Sequence, residues 1–331
     1  MENSEIEGLI IDRTSIYKNI LDPKFGQYHA LDPSDIPVLA LMKEAVAGFK
    51  DNTGQPVNEA RLLYDQFIEQ IIPAPEISYL EEQVGGVNGW WCLPDNVILG
   101  SAILYFYGGA YNLGSAFSYR NFVSHIARIS KIPVFIPQYR LAPENPFPAA
   151  VEDGQFCYNG LLEKGYDKIS IVGDSAGGGL ALVTLAWATR NAVLGICLKP
   201  ISAVAISPWT DLGFESPSLK SNGEVDILLS EKSLRGNAER YVNNEDSKNP
   251  RISPVYGNLD GLPPIQIHVG EAEILLDDSL RYANQASKCG VETAIHVWEG
   301  MPHVFPANVN QLVAAKEALA LMGDFLIKMN T

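Results

Sequence analysis

Residues 168–187, "KISIVGDSAGGGLALVTLAW", set a single serine among glycines where two apolar runs meet. The β-branched "KISIV" reads as a strand and the Ala/Leu-rich "LALVTLAWATR" as a helix, so Ser175 falls on a strand–turn–helix joint with Gly173 and Gly177 on either side. A turn that sharp brings strand and helix too close for a Cβ at the two glycines and lifts the serine oxygen to its tip. The chemistry open to such a serine is acyl transfer. A glycine-rich phosphate loop is the rival reading, but no Gly-Lys-Ser/Thr follows and Asp174 would repel a phosphate; Asp174 reads instead as a structural group that helps hold the turn.

Acyl transfer by serine needs a base to take its proton, an acid to orient that base, and N–H donors for the oxyanion. His29 and His125 precede the serine on helical or loop stretches, and His268 and His296 sit inside apolar strand runs as core or surface imidazoles. His303, in "EGMPHVFP", follows the last apolar run on a Gly/Pro-rich loop, where a rigid turn can carry a base to Ser175. Between the two, "HVGEAEILLDDS" offers Glu271, Glu273, Asp277 and Asp278, and spacing alone leaves the choice open. Oxyanion donors are expected from Ala176, directly after the nucleophile, and from Gly108 and Gly109 in "LYFYGGAYNLG" (104–114).

Positioning these groups requires a sheet. Short runs at 102–107, 132–138, 168–172, 203–207, 264–269 and 293–298 alternate with helical stretches, which predicts a parallel sheet covered on both faces. "EISYLEEQV" and "GWWCLP" form an antiparallel hairpin ahead of it, giving about eight strands in all. Before the hairpin come two amphipathic helices, 34–51 (Ile36, Leu39, Met42, Val46, Phe49) and 57–72 (Leu62, Phe67, Ile71), so that helices precede any strand. A polar stretch with its own helix at 213–246 interrupts the rhythm and reads as an insertion over the C-terminal edge of the sheet, where sites of such folds lie.

The 331 residues carry a net charge of −15, which disfavours nucleic acid or an anionic membrane as partner and leaves a neutral small molecule as the easier one. Cys92, Cys157, Cys197 and Cys289 lack C-x-x-C spacing, so neither a zinc ribbon nor a dense disulfide framework is expected, and no metal or cofactor is called for. The acidic start "MENSEIEGLIIDRTS" does not read as a signal peptide, and no long uncharged apolar run follows; the expectation is a cytoplasmic enzyme.

The sequence resembles the hormone-sensitive lipase family of carboxylesterases, on the α/β-hydrolase fold. The resemblance runs from about residue 76 to the C-terminus through "YRLAPENPFPAAVEDG" (139–154), "GDSAGGG" (173–179), "SPWTDL" (207–212), "SPVYGNLDGLPP" (253–264), the Gly-x-x-acid turn at 270–273 and "PHVF" (302–305). It implies a mostly parallel central sheet with helices on both faces and a helical cap made of residues 1–75 and the 213–246 insertion. It also implies hydrolysis of short- to medium-chain acyl esters without a cofactor, with a homodimer left open. Aligning Gly270 and Leu275 with the family's acid turn puts Glu273 in the acid's place, beside Ser175 and His303. The family's His-Gly-Gly-Gly loop reads Tyr107-Gly108-Gly109-Ala110 here, which leaves open whether Tyr107 takes over the bracing role of that histidine. Trp209 and Phe214 either line the acyl pocket or pack against the cap. A lactonase or amidase with the same triad, and a non-catalytic ligand receptor on the same fold, are the competing functions; the receptor of the plant hormone gibberellin resembles this family but lacks the histidine that stands here as His303.

Overall fold

A run of apolar residues with no polar alternation must be buried on both faces if it forms a strand. The computed structural model describes residues 21–46, 50 and 56–331 and turns each such run into a strand of one nine-stranded sheet. In chain order these are β1 (Gly26–His29), β2 (Ile77–Val84), β3 (Val87–Pro94), β4 (Ser101–Phe106), β5 (Val134–Pro137), β6 (Lys168–Asp174), β7 (Ser202–Ile206), β8 (Ile265–Gly270) and β9 (Thr293–Trp298). Across the sheet they lie in the order β1-β9-β8-β7-β6-β4-β5-β3-β2. Every pairing is parallel except those of β3, which runs against β2 and β5. Every residue of β4, β7 and β8 is buried, because helices cover both faces.

The helices are α1 (Ile36–Ala45), α2 (Val57–Glu69), α3 (Arg120–Ser130), α4 (Ala149–Glu163), α5 (Ser175–Val193), α6 (Ser218–Ser221), α7 (Glu231–Val242), α8 (Leu276–Lys288) and α9 (Val313–Asn330). α3 packs on α9 and α4 on α5. The expected stretch 213–246 holds α6, α7 and the loop between them.

Two expectations need correction. A strand does precede the helices: β1, the ninth strand, adds to the outer edge of β9, pairing Gly26 with Ile295 and His29 with Trp298. Four residues with two polar side chains carry too weak a period to be read as a strand before its partner is known. Residues 26–29 therefore belong to the sheet and not to a helical cap, and His29 lies on a strand. Asp35 ties the same segment down further, its carboxylate accepting from the N–H groups of Val313 and Ala314 at the start of α9 (2.8 and 3.0 Å).

The second correction concerns α2. Leu62 and Phe67, expected on its inward face, are exposed, while Arg61, Tyr64, Asp65 and Ile68 face the body of the protein. Polar bonding, and not apolar burial, sets the rotation of this helix. Of the expected helix 34–51, α1 forms the part that ends at Ala45; residues 47–49, including Phe49, and 51 lie outside the described residues.

Three imidazoles line up across neighbouring strands. His29 Nε2 and His296 Nδ1 are 2.9 Å apart, and His296 stacks on His268 with ring centroids 4.5 Å apart. Burial, with His29 adding to it, lowers the His296 pKa to about 4. The unfolded chain therefore binds a proton near pH 6.5 that the folded chain refuses until about pH 4. Stability contributed by this site is complete above pH 6.5 and is lost as the pH falls towards 4. Asp174 and Asp278, raised by burial to about 6 and about 7, act in the opposite sense. We therefore expect the difference in unfolding free energy between the wild type and His296→Gln to shrink by on the order of 3 kcal/mol from pH 7 to pH 4, measured by urea titration.

Candidate active site

The carboxyl ends of β4, β6, β7, β8 and β9 all open onto one edge of the sheet, so the segments that follow them meet there. After β6 the chain turns directly into α5, and Ser175 at the joint has φ +54°, a left-handed conformation costly for any residue with a Cβ. The turn survives because its flanks are glycine. A Cβ on Gly173 would lie 2.3 Å from the carbonyl oxygen of Gly177, and one on Gly177 would lie 2.1 Å from that of Phe106. Ser175 Oγ is thereby presented at the positive N-terminal end of a long helix whose first N–H groups have no partner within the helix.

His303 Nε2 lies 2.9 Å from Ser175 Oγ, and its Nδ1 lies 2.7 Å from Glu273 Oε2. Both His303 and Glu273 are buried. The other oxygen, Oε1, accepts from Gly270 N–H and from Ser207 Oγ, both at 2.7 Å. Ser207 Oγ in turn accepts from Val304 N–H at 3.1 Å. One hydroxyl at the end of β7 thus ties the segment bearing the acid to the segment bearing the histidine. Burial works against a charged His303, but the Glu273 carboxylate, with Asp226 and Asp174 beyond it, more than offsets this and holds the pKa above the ordinary imidazole value.

The rival acids are engaged elsewhere. Asp277 Oδ2 accepts from Ser218 N–H at the start of α6 (2.7 Å). Asp278 receives Thr210 and Asp211 N–H groups and the Ser216 hydroxyl. Glu271 Oε2 accepts from Gly300 N–H.

The segment after β4 carries Gly108 and Gly109, the glycines expected to supply oxyanion donors. Gly108 N–H donates to Asp174 Oδ1 at 3.0 Å, so it is turned towards that carboxylate and not offered to a substrate. The carbonyl of Gly109, in contrast, accepts from Asn112 and Leu113 N–H groups within the loop. Because C=O and N–H point in opposite directions across a trans peptide, the N–H of Ala110 is directed out of that turn. Ala110 was not among the donors expected from sequence, since only φ values of +117° at Gly109 and +52° at Ala110 reveal which way the peptides face.

Tyr107 is fully buried, stacked on Tyr139 at 4.3 Å, with its hydroxyl accepting from Gln138 Nε2 and its carbonyl from the Tyr139 hydroxyl. It braces the loop by packing as well as by hydrogen bonds. Asp174 itself accepts from the Tyr105 and Tyr119 hydroxyls in addition to Gly108.

This arrangement has relatives. A family model described as an alpha/beta hydrolase fold matches residues 103–307. An acetyl-hydrolase of Streptomyces hygroscopicus is 36% identical over 296 residues, covering 88% of this chain and 96% of that one. A hormone-sensitive lipase from a metagenome library superposes with a TM-score of 0.84 at 34% identity, covering 92% of this chain and 100% of that one. The chain belongs to the hormone-sensitive lipase family of α/β-hydrolases. It is an esterase, in keeping also with an esterase of Acinetobacter venetianus, 31% identical over 276 residues that cover 82% of this chain and 89% of that one.

In this esterase a cavity of about 210 Å³ lies between α1 and the loops bearing Glu273 and His303, lined by Leu39, Ala40, Lys43, Ile227, Ala272 and Pro302 among others. Phe214 lies edge-on to the buried Trp209 and beneath the Arg235 guanidinium of α7. Among the described residues no group of three His, Cys, Asp or Glu side chains is arranged to hold a metal, and no helix is long and apolar enough to cross a membrane. Ser207 also escaped the sequence reading; "SPWTDL" was legible as a family motif, but a serine reaching both the Glu273 and the His303 segments has no local signature.

Proposed function

We propose that the protein is a serine carboxylesterase for short- to medium-chain acyl esters, with Ser175 as nucleophile, His303 as base and Glu273 as the acid that orients it. The observation that carries this reading is the unbroken hydrogen-bonded chain from Ser175 Oγ through both His303 nitrogens to Glu273. Ser175 Oγ attacks the ester carbonyl carbon while its proton passes to His303 Nε2. The carbonyl π electrons move onto oxygen, which is held by N–H groups of Gly109, Ala110 and Ala176. His303 then protonates the departing alkoxide, and water, activated by the same imidazole, releases the acid. The acetyl-hydrolase relative supports a small acyl group.

A pre-steady-state burst tests the acyl-enzyme directly. With p-nitrophenyl acetate the first turnover should release about one equivalent of nitrophenol per enzyme before the slower steady state, if deacylation limits. Lactones and anilides in the same assay separate the lactonase and amidase alternatives. On the acid side, kcat/KM should fall with a midpoint above the ordinary histidine value, because His303 must be neutral to act and its pKa is raised.

Helices α1 and α2 and the 213–246 stretch are proposed as the cap. The cavity beneath α1 supports this, since Leu39, Ala40 and Lys43 line it together with Ala272 and Pro302. Ala40→Trp would fill part of it. The expected outcome is a roughly tenfold fall in kcat/KM for p-nitrophenyl hexanoate relative to acetate, at unchanged melting temperature. An unchanged ratio would place the acyl chain elsewhere.

A further inference from the structure

The inward face of α2 is polar where a cap helix over an apolar pocket would be expected to be greasy, and Arg61, Tyr64 and Asp65 each bond to the connection between β4 and α3 (107–119) that carries the oxyanion donors. Arg61, whose side chain is 22% exposed, donates from Nε to the Asn112 carbonyl and from Nη2 to the Ala142 carbonyl, both at 2.8 Å. It also pairs with Glu144 at the surface. Asn112 Nδ2 donates to the Ala110 carbonyl at 2.6 Å, and Ala142 N–H to the Tyr111 carbonyl at 2.9 Å. Arg61 thus holds the Asn112 carbonyl directly, while the carbonyls of 110 and 111 are held by Asn112 within the loop and by Ala142 beyond it, two residues whose own carbonyls Arg61 binds. A planar guanidinium with donors in a fixed fork can bridge two backbone carbonyls in this way; an ammonium cannot hold the same geometry.

A second route reaches the other end of the loop. The hydroxyls of Tyr64 and Tyr119 are 2.8 Å apart, and Tyr119 donates to Asp174 Oδ2. Since Tyr119 has a single proton, Tyr64 must donate to Tyr119. Asp174 accepts on its other oxygen from Gly108 N–H. Gly109 and Ala110 lie between these two anchored points. We infer that Arg61 and Tyr64 are positioning residues for the oxyanion hole, so that this cap helix sets the aim of the transition-state donors as well as roofing the site. The inference rests on the triad and oxyanion reading proposed above.

The test compares Arg61→Ala, Arg61→Lys, Tyr64→Phe and Glu144→Gln with wild type, using p-nitrophenyl acetate and an aryl trifluoromethyl ketone. In forming its adduct the ketone bonds its carbonyl carbon to Ser175 Oγ, gives the π pair to oxygen as an oxyanion, and leaves the serine proton on His303. Its affinity therefore reports on the hole. Arg61→Ala should lower kcat by roughly 10- to 100-fold, less than the roughly 100- to 1000-fold for losing a donor outright, with KM changed by less than about threefold. The ketone should weaken by the same factor as kcat/KM. Arg61→Lys should recover little, and Glu144→Gln, which breaks only the surface pair, should stay within about twofold of wild type.

Tyr64→Phe, which removes one oxygen and keeps the packing, carries the test should Arg61→Ala not fold. Its expected loss is several-fold in kcat and equal in ketone affinity. A folded Arg61→Ala and Tyr64→Phe with wild-type kcat and ketone affinity, or a loss confined to KM, overturns the inference. Mass spectrometry of wild type after a fluorophosphonate separates the two levels. Labelling of Ser175 with unaffected variants overturns the positioning role alone, and no labelling of Ser175 overturns the triad reading together with it.

Discussion

Replacing Ser175 by Ala should leave a folded protein whose esterase rate is about 10⁶-fold lower, the scale on which a subtilisin nucleophile is lost. The backbone at this position has φ +54° whichever of the two residues occupies it, so the substitution relieves no strain and adds none. What the turn depends on is the close approach of Gly173 and Gly177 to neighbouring carbonyls, and that is untouched. The oxyanion donors also remain, so the variant should still bind ester while turning it over at near the background of the hole alone. The burst of nitrophenol should vanish, and the melting temperature should stay within a few degrees of wild type or rise, since a buried hydroxyl has been removed. A folded Ser175→Ala enzyme retaining more than about 1% of wild-type kcat would remove Ser175 as nucleophile. The receptor reading predicts a different pattern, with ligand bound equally by both proteins and no turnover by either.

Legibility of the site in the sequence followed the range of the interaction. Ser175 was readable because its constraint is local: strand, glycine, serine, glycine and helix are contiguous, and close packing there admits nothing larger. His303 was readable because it alone of the histidines follows the last strand on a loop, and strand ends are visible as breaks in apolar runs. Glu273 could be singled out only through its offset from Gly270, since nothing local separates it from Glu271 or Asp277; what sets it apart in the structure is that Ser207 and Gly270 seat one of its oxygens while the other faces His303. The direction of the Gly108 N–H was hidden for a similar reason. Its N–H faces Asp174, a residue 66 positions away, and sequence does not show which side of a peptide plane faces a cavity.

The fold divides the same way. Strands buried on both faces declare themselves, whereas β1, with three half-buried residues and one exposed, exists because β9 offers an edge. The rotation of α2 is the clearest case of a long-range cause. Its apolar period pointed Leu62 and Phe67 inward, yet bonds from Arg61, Tyr64 and Asp65 to the loops after β4 turned them outward. Charge-assisted bonds to buried carbonyls outweigh the modest apolar area that the opposite rotation would have covered.

The acid offers the sharpest separation between neighbouring carboxylates. Glu273→Gln should lower kcat by about 10⁴-fold with little change in KM, and the reason lies in which way the new amide must face. The Oε1 position receives Gly270 N–H and the Ser207 hydroxyl, and Ser207 Oγ is itself occupied in accepting from Val304. The oxygen of glutamine must therefore take that place, because an NH₂ there would oppose a backbone donor. Its NH₂ is then left facing His303 Nδ1, 2.7 Å away in the wild type. Nδ1 becomes the acceptor, the imidazole proton moves to Nε2, and the nitrogen facing Ser175 can no longer act as a base. Removing the carboxylate also removes the attraction that raises the His303 pKa, so the acid limb of the residual kcat/KM profile should move to lower pH. Asp277→Asn alters only the seat of Ser218 N–H at the start of α6. Its rate should stay within about threefold of wild type, with at most about 1 kcal/mol of stability lost. If Asp277→Asn were the slow variant and Glu273→Gln the fast one, both folded, the orienting acid would be Asp277, and the bonds that seat Glu273 would serve only to join the two loops.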